Sequence, residues 1–298
     1  VKYWGKADAE RMIPSTSSIS LTLENMYTET KLSFLPEDAT GDVMYIDDEL
    51  QGEKETIKAS KVLDLFRTNP NQHVKIETWN NMPTAAGLSS SSSGLSALVK
   101  AANELFQVGK TQSELAQIAK FASGSSSRSF FGPLAAWDKD SGDVYQVETD
   151  LKLAMIMLVL TDQKKPVSSR DGMKLCTETS TSFPDWIKQS EQDYKDMLGY
   201  LKANDFQAVG ELTEANALRM HQTTSTANPP FSYLTDASYQ AMDKVKALRA
   251  SGERCYFTMD AGPNVKVLCL EEDLDRLADH FRKDYQVIVS RTKELPDA

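Results

Sequence analysis

Apolar and polar residues alternate with a period of two along parts of the first eighty positions, as they do in half-buried strands. The stretches "SISLTL" at 18–23 and "YTETKLSF" at 27–34 alternate on either side of Glu24 and Asn25, which predicts an antiparallel hairpin. The stretches "GDVMYIDD" at 41–48 and "HVKIETW" at 73–79 predict two further strands. A helical stripe over 56–66 predicts a helix between them.

Five consecutive serines, Ser89 to Ser93, lie inside the stretch "PTAAGLSSSSSG" at 83–94. Apolar residues recur at helical spacing from 88 to 106, and Gly109 follows where a helix end favours glycine. The serines are therefore predicted to form the first turns of a helix of about 15 residues, not a linker. Thr111 and Glu114 have the spacing of a capping box, which predicts that a second helix starts there.

The second half mixes both periodicities. The continuous apolar run at 151–161 predicts a central strand covered on both faces, and the polar stretch "KKPVSSRDGM" at 164–173 predicts a passage between domains. Helical stripes follow from Asp185 onward, and "CYFTM", "VKVLCL" and "YQVIVS" predict strands, the first two joined by the turn "DAGPN". Strands mixed with helices in both halves predict an α+β or α/β chain of two domains.

Composition narrows the class of protein. The chain has 298 residues, 40% hydrophobic and 26% charged, which is enough for two domains with real cores. The net charge of −10 argues against nucleic acid and anionic membrane surfaces as partners, so an anionic ligand needs a local cluster of donors. The longest apolar run is too short to cross a bilayer. Because the chain begins at Val1 in what resembles a strand end, we expect a preceding segment that contains a strand.

Cysteine and histidine usage gives no sign of a structural metal or a disulfide framework. The three cysteines, Cys176, Cys255 and Cys269, form no close pairs and are expected to be small core residues. The three histidines are scattered along the chain. A reducing, cytoplasmic compartment is the simplest interpretation.

The serine run has the chemistry of a phosphate site. Free backbone N–H groups at a helix start, together with the positive end of the helix dipole, favour an anion. Gly87 lets the backbone approach a ligand closely, and the serine hydroxyls add donors. No lysine follows the glycine, so this is not the nucleotide loop GxxxxGK[ST]. The alternative is a serine-rich helix start that packs against a sheet.

Four other segments carry donors or cations. Arg128 ends "SGSSSRS", Lys6 ends "KYWGK", and Ser169 and Arg170 lie in "VSSRDGM". Asp260 follows an apolar strand in "MDAGPN", where it can serve as a base or an electrostatic group. The alternatives are a solvated arginine, aromatic core residues around Lys6, and ordinary Asp-Gly-Pro turn chemistry at Asp260. Together with the serine run, these segments suggest a doubly anionic ligand, and a nucleotide and a second phosphorylated molecule would fit.

These motifs, in this order, support a family resemblance. "PTAAGLSSSSSG" resembles the phosphate-binding segment of the galactokinase, homoserine kinase, mevalonate kinase and phosphomevalonate kinase (GHMP) superfamily. With "KYWGK", "SGSSSRSFFG", "VSSRDGMK" and "CYFTMDAGPNVK", the chain resembles diphosphomevalonate decarboxylases of the type found in Gram-positive cocci, from end to end. Many relatives have "GLASSAS" where this chain has "GLSSSSS", and "SGSACRS" where it has "SGSSSRS", so that serines replace alanines and one cysteine.

The resemblance implies a two-domain α+β GHMP fold with the active site in the cleft between the halves. Residues 1–165 would form the N-terminal ATP-binding α/β domain, without its first strand, and residues 166–298 the C-terminal α+β domain. It also implies an ATP- and Mg²⁺-dependent enzyme that phosphorylates the 3-hydroxyl of (R)-5-diphosphomevalonate and releases phosphate and CO₂. The products are isopentenyl diphosphate and ADP, in the mevalonate pathway. Such enzymes are commonly homodimers.

The resemblance also implies roles for individual residues. Asp260 would lie beside the 3-hydroxyl, as a base or as an electrostatic stabiliser, and Arg128 would hold the carboxylate. The other residues around the substrate would be Tyr3, Trp4, Lys6, Ser123, Gly124, Ser125, Ser126, Ser127, Ser169 and Arg170. The ATP phosphates would be held by Pro83, Ala85, Ala86, Gly87, Leu88, Ser89, Ser90, Ser91 and Ser92, with Ser91 as the magnesium ligand.

Two other functions share these motifs. One is a GHMP kinase that stops after phosphoryl transfer; Arg128 argues against it, because a pure kinase has no carboxylate to orient for loss. The other is a non-catalytic nucleotide-binding protein on the same scaffold. The presence of both Asp260 and Lys6 argues against that interpretation.

Overall fold

The computed structural model describes residues 1–8, 10–81, 90–161 and 165–295. Its strands are β1 (Lys6–Asp8), β2 (Ile13–Pro14), β3 (Ser18–Leu21), β4 (Thr28–Phe34), β5 (Val43–Ile46), β6 (Glu49–Leu50), β7 (Val74–Asn80), β8 (Leu134–Trp137), β9 (Val144–Gln146), β10 (Leu153–Val159), β11 (Cys255–Met259), β12 (Val265–Leu270) and β13 (Gln286–Arg291). Its α-helices are α1 (Glu53–Leu63), α2 (Ser90–Leu105), α3 (Gln112–Ala122), α4 (Ser169–Thr179), α5 (Phe183–Lys202), α6 (Phe206–Ser225), α7 (Asp236–Ala250) and α8 (Leu274–Arg282). Gly124–Phe130 and Glu271–Asp273 are 3₁₀-helices.

The chain divides into two compact units. The larger unit contains the described residues of 1–25 and 131–295, and the smaller unit contains those of 26–81 and 90–130. Because each unit combines separated segments of the chain, this division does not test the predicted boundary between residues 165 and 166. That boundary stays a prediction. Helices and strands occur in both units, as expected for an α+β chain.

The larger unit is organised around a four-stranded sheet in the order β11-β12-β10-β13, in which all neighbours are antiparallel. Strand β10 is the apolar run of the sequence, and its side chains alternate between two cores. Ala154, Ile156 and Leu158 pack with residues of α7 and α8, whereas Leu153 and Met155 pack with residues of α5 and α6. The prediction of a central strand covered on both faces is confirmed.

The same unit contains two smaller sheets, β3-β8-β9 and the pair β1-β2. β11 and β12 form the predicted hairpin, with Met259 opposite Val265 and Thr258 opposite Lys266. Helix α7 ends just before Gly252, whose φ of +104° is a backbone conformation that favours glycine. The three cysteines are buried free thiols, as predicted.

The smaller unit pairs helices with the sheet β4-β7-β5-β6, in which β5 and β7 are parallel and α1 lies between them in the chain. Ser90 to Ser93 form the start of α2, as predicted, and Ser89 lies outside the described residues. The capping box at α3 is also confirmed. The N–H of Glu114 donates to Oγ1 of Thr111 at 3.3 Å, and the N–H of Thr111 donates to Oε2 of Glu114 at 2.8 Å.

The predicted hairpin between residues 18–23 and 27–34 is wrong. β3 pairs with β8, and β4 pairs with β7, each antiparallel. Glu24 and Asn25 lie in a turn, but β3 and β4 do not pair across it. The N–H of Glu24 donates to the carbonyl of Arg291 at 2.9 Å, and that of Asn25 donates to Oγ of Ser290 at 2.9 Å. The period-two pattern therefore identifies the two strands but not their partners. The partner of β3 lies about a hundred residues further along the chain, and the partner of β4 about fifty residues further along.

The polar stretch at 164–173 contains the start of helix α4, which the sequence interpretation missed. Oγ of Ser168 accepts the N–H of Asp171 at 3.1 Å, which is an N-cap hydrogen bond. The described residues before this stretch, within it and after it all belong to the larger unit. Among the helices of the described chain, none is both long enough and apolar enough to cross a membrane.

Candidate active site

Asp260, the first residue after β11, lies between two lysines. Nζ of Lys2 is 2.6 Å from its Oδ1, and Nζ of Lys266 on β12 contacts its Oδ2. The turn is closed by the N–H of Gly262, which donates to the carbonyl of Asp260 at 2.8 Å. One third of the Asp260 side chain remains exposed. One carboxylate and two ammonium groups leave a net positive charge at a surface that solutes can reach.

The charge state of Asp260 follows from this geometry. Burial opposes ionisation, but the ammonium groups of Lys2 and Lys266 outweigh it and hold the pKa of Asp260 well below its usual value of 3.8. Asp260 is thus an ionised hydrogen-bond acceptor at every pH near neutrality. It is a weak base, and it can take a proton only as the group that carries the proton becomes strongly acidic.

Lys165 lies at the edge of the same cluster, just before α4. Its Nζ donates to Oγ of Ser169 at 2.6 Å and to the carbonyl of Ala261 at 2.7 Å, and it lies 5.6 Å from the centre of the Tyr233 ring. Burial lowers the pKa of Lys165, and the charge of Asp260 partly opposes that shift. Sequence reasoning selected Ser169 but missed the lysine that binds it.

Lys6 and Arg170 form a second cationic group in the larger unit. Lys6 lies on β1, with Nζ 3.4 Å from Sδ of Met12, and Arg170 lies in the first turn of α4. Burial lowers the pKa of Lys6, and the guanidinium of Arg170 lowers it further. Gly5, with a φ of +110°, precedes Lys6 in a conformation that few other residues adopt. Two neighbouring cations suit a diphosphate.

Trp4 and Tyr3 have different surroundings. The Trp4 side chain is 2% exposed, its Nε1 donates to Oγ1 of Thr223 at 2.9 Å, and its carbonyl accepts Nε1–H of Trp186 at 2.9 Å. This placement favours a packing role for Trp4 over a substrate contact. Tyr3 is half-buried, with its ring centre 5.2 Å from that of Trp137.

The smaller unit brings two of the serine-rich motifs together. Oγ of Ser92 in α2 lies 2.5 Å from Oγ of Ser125 in the 3₁₀-helix Gly124–Phe130. Oγ of Ser96 lies 2.8 Å from the carbonyl oxygen of Ser92 and 2.9 Å from that of Ser126. The helix that begins with the serine run therefore touches the segment that carries Arg128.

Individual serines of the second motif differ in exposure. Ser126 and Ser127 are fully buried, and Oγ of Ser127 donates to the carbonyl of Gly124 at 2.8 Å, which favours packing roles for both. Oγ of Ser125 also lies 3.4 Å from Oγ of Ser123. Arg128 is half-buried and lies in the same 3₁₀-helix.

Part of the predicted nucleotide segment lies outside the described residues, namely Pro83, Ala85, Ala86, Gly87, Leu88 and Ser89. Ser90, Ser91 and Ser92 belong to the first turn of α2, which contains no acidic residue. The positive end of the helix dipole favours a phosphate at this turn. In the described part of the chain, no cluster of three or more His, Cys, Asp or Glu side chains could hold a metal. A magnesium ion carried on nucleotide phosphates fits such a chain, since Mg²⁺ needs few protein ligands.

Family comparisons agree along the length of the chain. The family "Diphosphomevalonate decarboxylase-like N-terminal domain" matches residues 1–147, and "Mevalonate 5-diphosphate decarboxylase C-terminal domain" matches residues 155–296. The diphosphomevalonate decarboxylase of Gibberella zeae is 31% identical over 96% of this chain and 82% of its own length. This chain belongs to the diphosphomevalonate decarboxylase family. The family is one of enzymes, and the family resemblance stated from the motifs is confirmed.

Solved structures of decarboxylases share the fold. The mevalonate pyrophosphate decarboxylase of Streptococcus pyogenes is 67% identical, with a TM-score of 0.97 over 100% of this chain and 94% of that chain. A decarboxylase named MDDEF, solved in complex with MVAPP, AMPPCP and magnesium, is 40% identical, with a TM-score of 0.91 over 99% of this chain and 93% of that chain. The two-domain α+β fold of the GHMP type is thereby established for this decarboxylase-family chain.

Sequence reasoning missed the two lysines that pair with Asp260. Lys2 opens the motif "KYWGK" and Lys266 closes "CYFTMDAGPNVK", yet neither was selected. The hairpin register could have found Lys266. It lies opposite Thr258, and Asp260 is two residues further along on the same face, so the pair are diagonal neighbours. No local pattern indicates Lys2, which is 258 residues from Asp260.

Proposed function

We propose that this chain catalyses the ATP-dependent decarboxylation of (R)-5-diphosphomevalonate to isopentenyl diphosphate, ADP, phosphate and CO₂. The observation that carries the proposal is the cluster of Asp260 with Lys2 and Lys266, in a chain that belongs to the decarboxylase family. A carboxylate that stays ionised within a positively charged surface can bind the hydroxyl of an anionic substrate without repelling its phosphates.

The reaction proceeds in two parts. The 3-hydroxyl oxygen forms a bond to the γ-phosphorus while the bond from that phosphorus to ADP breaks, and the hydroxyl proton leaves. The C3–O bond then breaks as phosphate departs with its electron pair. The C1–C2 bonding electrons form the C2–C3 double bond, and C1 leaves as CO₂. Phosphorylation matters because a tertiary hydroxide is a poor leaving group and phosphate is a good one.

Asp260 orients the hydroxyl and receives its proton late. In a loose phosphoryl-transfer transition state the nucleophile carries little new bonding, so an early, strong base is not required. The low pKa of Asp260 suits this role. Lys2 and Lys266 keep the carboxylate ionised and offset the charge of the transferring phosphoryl group.

The remaining substrate contacts are assigned residue by residue. We assign Lys6, Arg170, Ser169 and Tyr3 of the larger unit to the substrate diphosphate, supported by the cationic pair of Lys6 and Arg170. Lys165, which binds Ser169, joins this set. In the smaller unit, Arg128 would hold the C1 carboxylate through a two-pronged ion pair, with Ser123 and Ser125 beside it. Gly124, Ser126 and Ser127 shape that segment.

The nucleotide would bind at the segment 83–92, whose described end is the first turn of α2. The glycine and the backbone N–H groups would hold the phosphates, and Ser91 would provide a hydroxyl ligand for Mg²⁺. The ion, when bound, neutralises charge on the transferring phosphoryl group. The structure of MDDEF with AMPPCP and magnesium supports this use of ATP and Mg²⁺.

Assembly, domain limits and compartment complete the proposal. We expect a homodimer, an N-terminal domain over residues 1–165 and a C-terminal domain over 166–298. A reducing, cytoplasmic compartment is consistent with three buried free thiols.

A product assay and two variants test the proposal. The protein is incubated with ATP, magnesium and (R)-5-diphosphomevalonate, and the organic product is identified by mass spectrometry. Isopentenyl diphosphate is expected, and a phosphorylated product that retains its carboxylate would indicate a kinase. Asp260→Ala should lower turnover at least about a hundredfold, whereas Asp284→Asn, which also removes one paired carboxylate, should leave turnover unchanged. A loss of less than tenfold in Asp260→Ala would contradict the assignment of Asp260.

A further inference from the structure

The segment that carries Lys2 belongs to no strand, so its backbone polar groups depend on other partners. Residues 1–5 precede β1 and have no regular secondary structure. The backbone N–H of Lys2 donates to Oδ1 of Asn216 at 2.8 Å, and the backbone carbonyl of Lys2 accepts the hydroxyl of Thr16 at 3.2 Å. Both backbone groups of this one residue are thus held by side chains, and one of those side chains comes from α6.

Asn216 is itself fixed in one orientation. Its side chain is 1% exposed, and its Nδ2 donates to Oδ2 of Asp193 on α5 at 2.8 Å. A carboxylate can only accept hydrogen bonds, so the amide nitrogen of Asn216 must face Asp193. The amide oxygen is then left to face the N–H of Lys2. A flip of the amide would place two acceptors together on one side and two donors together on the other.

Asp193 is held equally firmly from the other side. It is 1% exposed, Nε2 of Gln189 donates to its Oδ1 at 3.0 Å, and Nη2 of Arg219 donates to its Oδ2 at 2.5 Å. A continuous set of hydrogen bonds therefore runs from Arg219 and Asp193, through Asn216, to the backbone of Lys2. From there the lysine side chain reaches Oδ1 of Asp260 at 2.6 Å.

Fixing the backbone of Lys2 restricts where its ammonium can lie. A lysine side chain has four rotatable bonds, and each displacement of the Cα moves the volume that the ammonium samples. Small misplacements of a reacting or charge-stabilising group cost large factors in rate. We infer that Asn216 is a positioning residue, which fixes the backbone of Lys2 so that the lysine ammonium stays on the Asp260 carboxylate.

This inference deepens the proposed function and rests on it. Asn216 touches neither substrate nor nucleotide in the proposal, so it acts only through Lys2. Loss of Asn216 should matter when residue 2 carries an ammonium group and should not matter when it does not. A role limited to folding would reduce activity by the same factor in both cases.

A double-mutant cycle distinguishes these two possibilities. Asn216→Ala is expected to lower kcat about tenfold to a hundredfold, with a smaller change in the KM for ATP. In a Lys2→Met background the backbone N–H remains but the ammonium is gone, and the same Asn216→Ala change is expected to cost less than about twofold. Equal losses in both backgrounds would overturn the inference.

Two further variants protect the experiment from a folding artefact. Val209→Ala removes apolar packing from the same helix but no side-chain hydrogen bond, so its effect should be equal in both backgrounds. Thermal unfolding of every variant is measured alongside the kinetics. If Asn216→Ala does not fold, Asn216→Ser, whose hydroxyl is too short to reach both partners, takes its place in the cycle.

The proposed function is tested separately from the role of Asn216. ADP and CO₂ are both measured for the unmutated protein. ADP without CO₂ would overturn the decarboxylase proposal, while the cycle is still read from ADP formation. The absence of both products would overturn the function and, with it, the role of Asn216.

Discussion

The ammonium of Lys2 lies 2.6 Å from Oδ1 of Asp260, although the two residues are 258 positions apart in the chain. With Lys266 on the other carboxylate oxygen, this contact keeps Asp260 ionised far below neutral pH. The carboxylate is consequently a weak base and a permanent acceptor. The chemistry proposed for it, orientation of a hydroxyl and late receipt of a proton, follows from that state.

Lys2→Met should move the acid limb of the pH–rate profile upward. Removal of one ammonium group raises the pKa of Asp260, so the ionised form is lost at a higher pH as the solution is acidified. The rise in the pKa of Asp260 is partial, because the ammonium groups of Lys266 and Lys165 still face the carboxylate. His221 also faces it, but without a charge. The measurement is kcat between pH 3 and pH 8 for both proteins, and an acid limb that appears in this range only in Lys2→Met is the expected result. Titration of the substrate phosphates is common to both profiles and cancels in the comparison.

The control for that prediction is Lys152→Met, which removes an exposed lysine of the larger unit. Its profile should match that of the unmutated protein. Coincident acid limbs for Lys2→Met and the unmutated protein would show that Lys2 does not set the charge of Asp260 during turnover.

Arg128→Ala should separate the two substrates. We expect kcat to fall about a hundredfold or more and the KM for diphosphomevalonate to rise, because the carboxylate loses its charged partner. The KM for ATP should stay near that of the unmutated protein. Lys61→Ala, an exposed cation on α1, is the matched control. A rise confined to the KM for ATP would move Arg128 into the nucleotide site.

His221 should make the protein less stable in mild acid. The imidazole is 7% exposed, and burial lowers its pKa to about 4, with the charge of Lys2 adding to the shift and Asp260 opposing it. The unfolded chain binds a proton below about pH 6.5, and the folded chain does not until about pH 4, so stability falls as the pH drops through that window. Linkage gives a loss on the order of 3 kcal/mol.

His221→Gln tests this dependence through urea unfolding at pH 7 and at pH 4.5. The change in unfolding free energy between the two pH values should be smaller in the variant, whatever its stability at pH 7. His280→Gln removes a histidine that is more exposed, and it should retain the full pH dependence. The same loss in all three proteins would mean that His221 is not the responsible group. Asp260 titrates below 3.8 and lies outside the window.

Alanine substitutions at two helical glycines should have opposite effects on stability. A Cβ at Gly210 on α6 would lie 2.0 Å from Cδ2 of Tyr256, whereas one at Gly199 on α5 would meet nothing within 4 Å. Gly210→Ala should cost about 2 kcal/mol or more through overpacking, and Gly199→Ala should gain up to about 1 kcal/mol from helix propensity. Thermal unfolding measures both. Similar melting temperatures for the two variants would contradict the packing of α6 on β11.

The sequence predicted local features well and non-local ones poorly. The serine run at the start of α2, the capping box at Thr111, and the hairpin that carries Asp260 all depend on residues within about ten positions of one another. The partner of β3 and the partner of Asp260 at Lys2 are both far away in the chain. Periodicity carries no information about which distant segment supplies a partner.

The omission of α4 has a different cause. Pro166 and the polar residues around it are typical of a loop, whereas Ser168 and Asp171 have the spacing of a helix start. Lys165 was missed with it, because its importance depends on Ser169 and on the carbonyl of Ala261 across the fold. The spacing of Ser168 and Asp171 is enough to predict the start of the helix. It does not predict the contacts of Lys165.

The most direct test of the central claim is the ratio of CO₂ to ADP in a single incubation. The protein is given ATP, magnesium and (R)-5-diphosphomevalonate labelled at the C1 carboxylate, and released CO₂ is counted against ADP and free phosphate. One CO₂ and one phosphate for each ADP is the result expected of a decarboxylase. ADP formed without CO₂ would contradict the claim and leave a kinase.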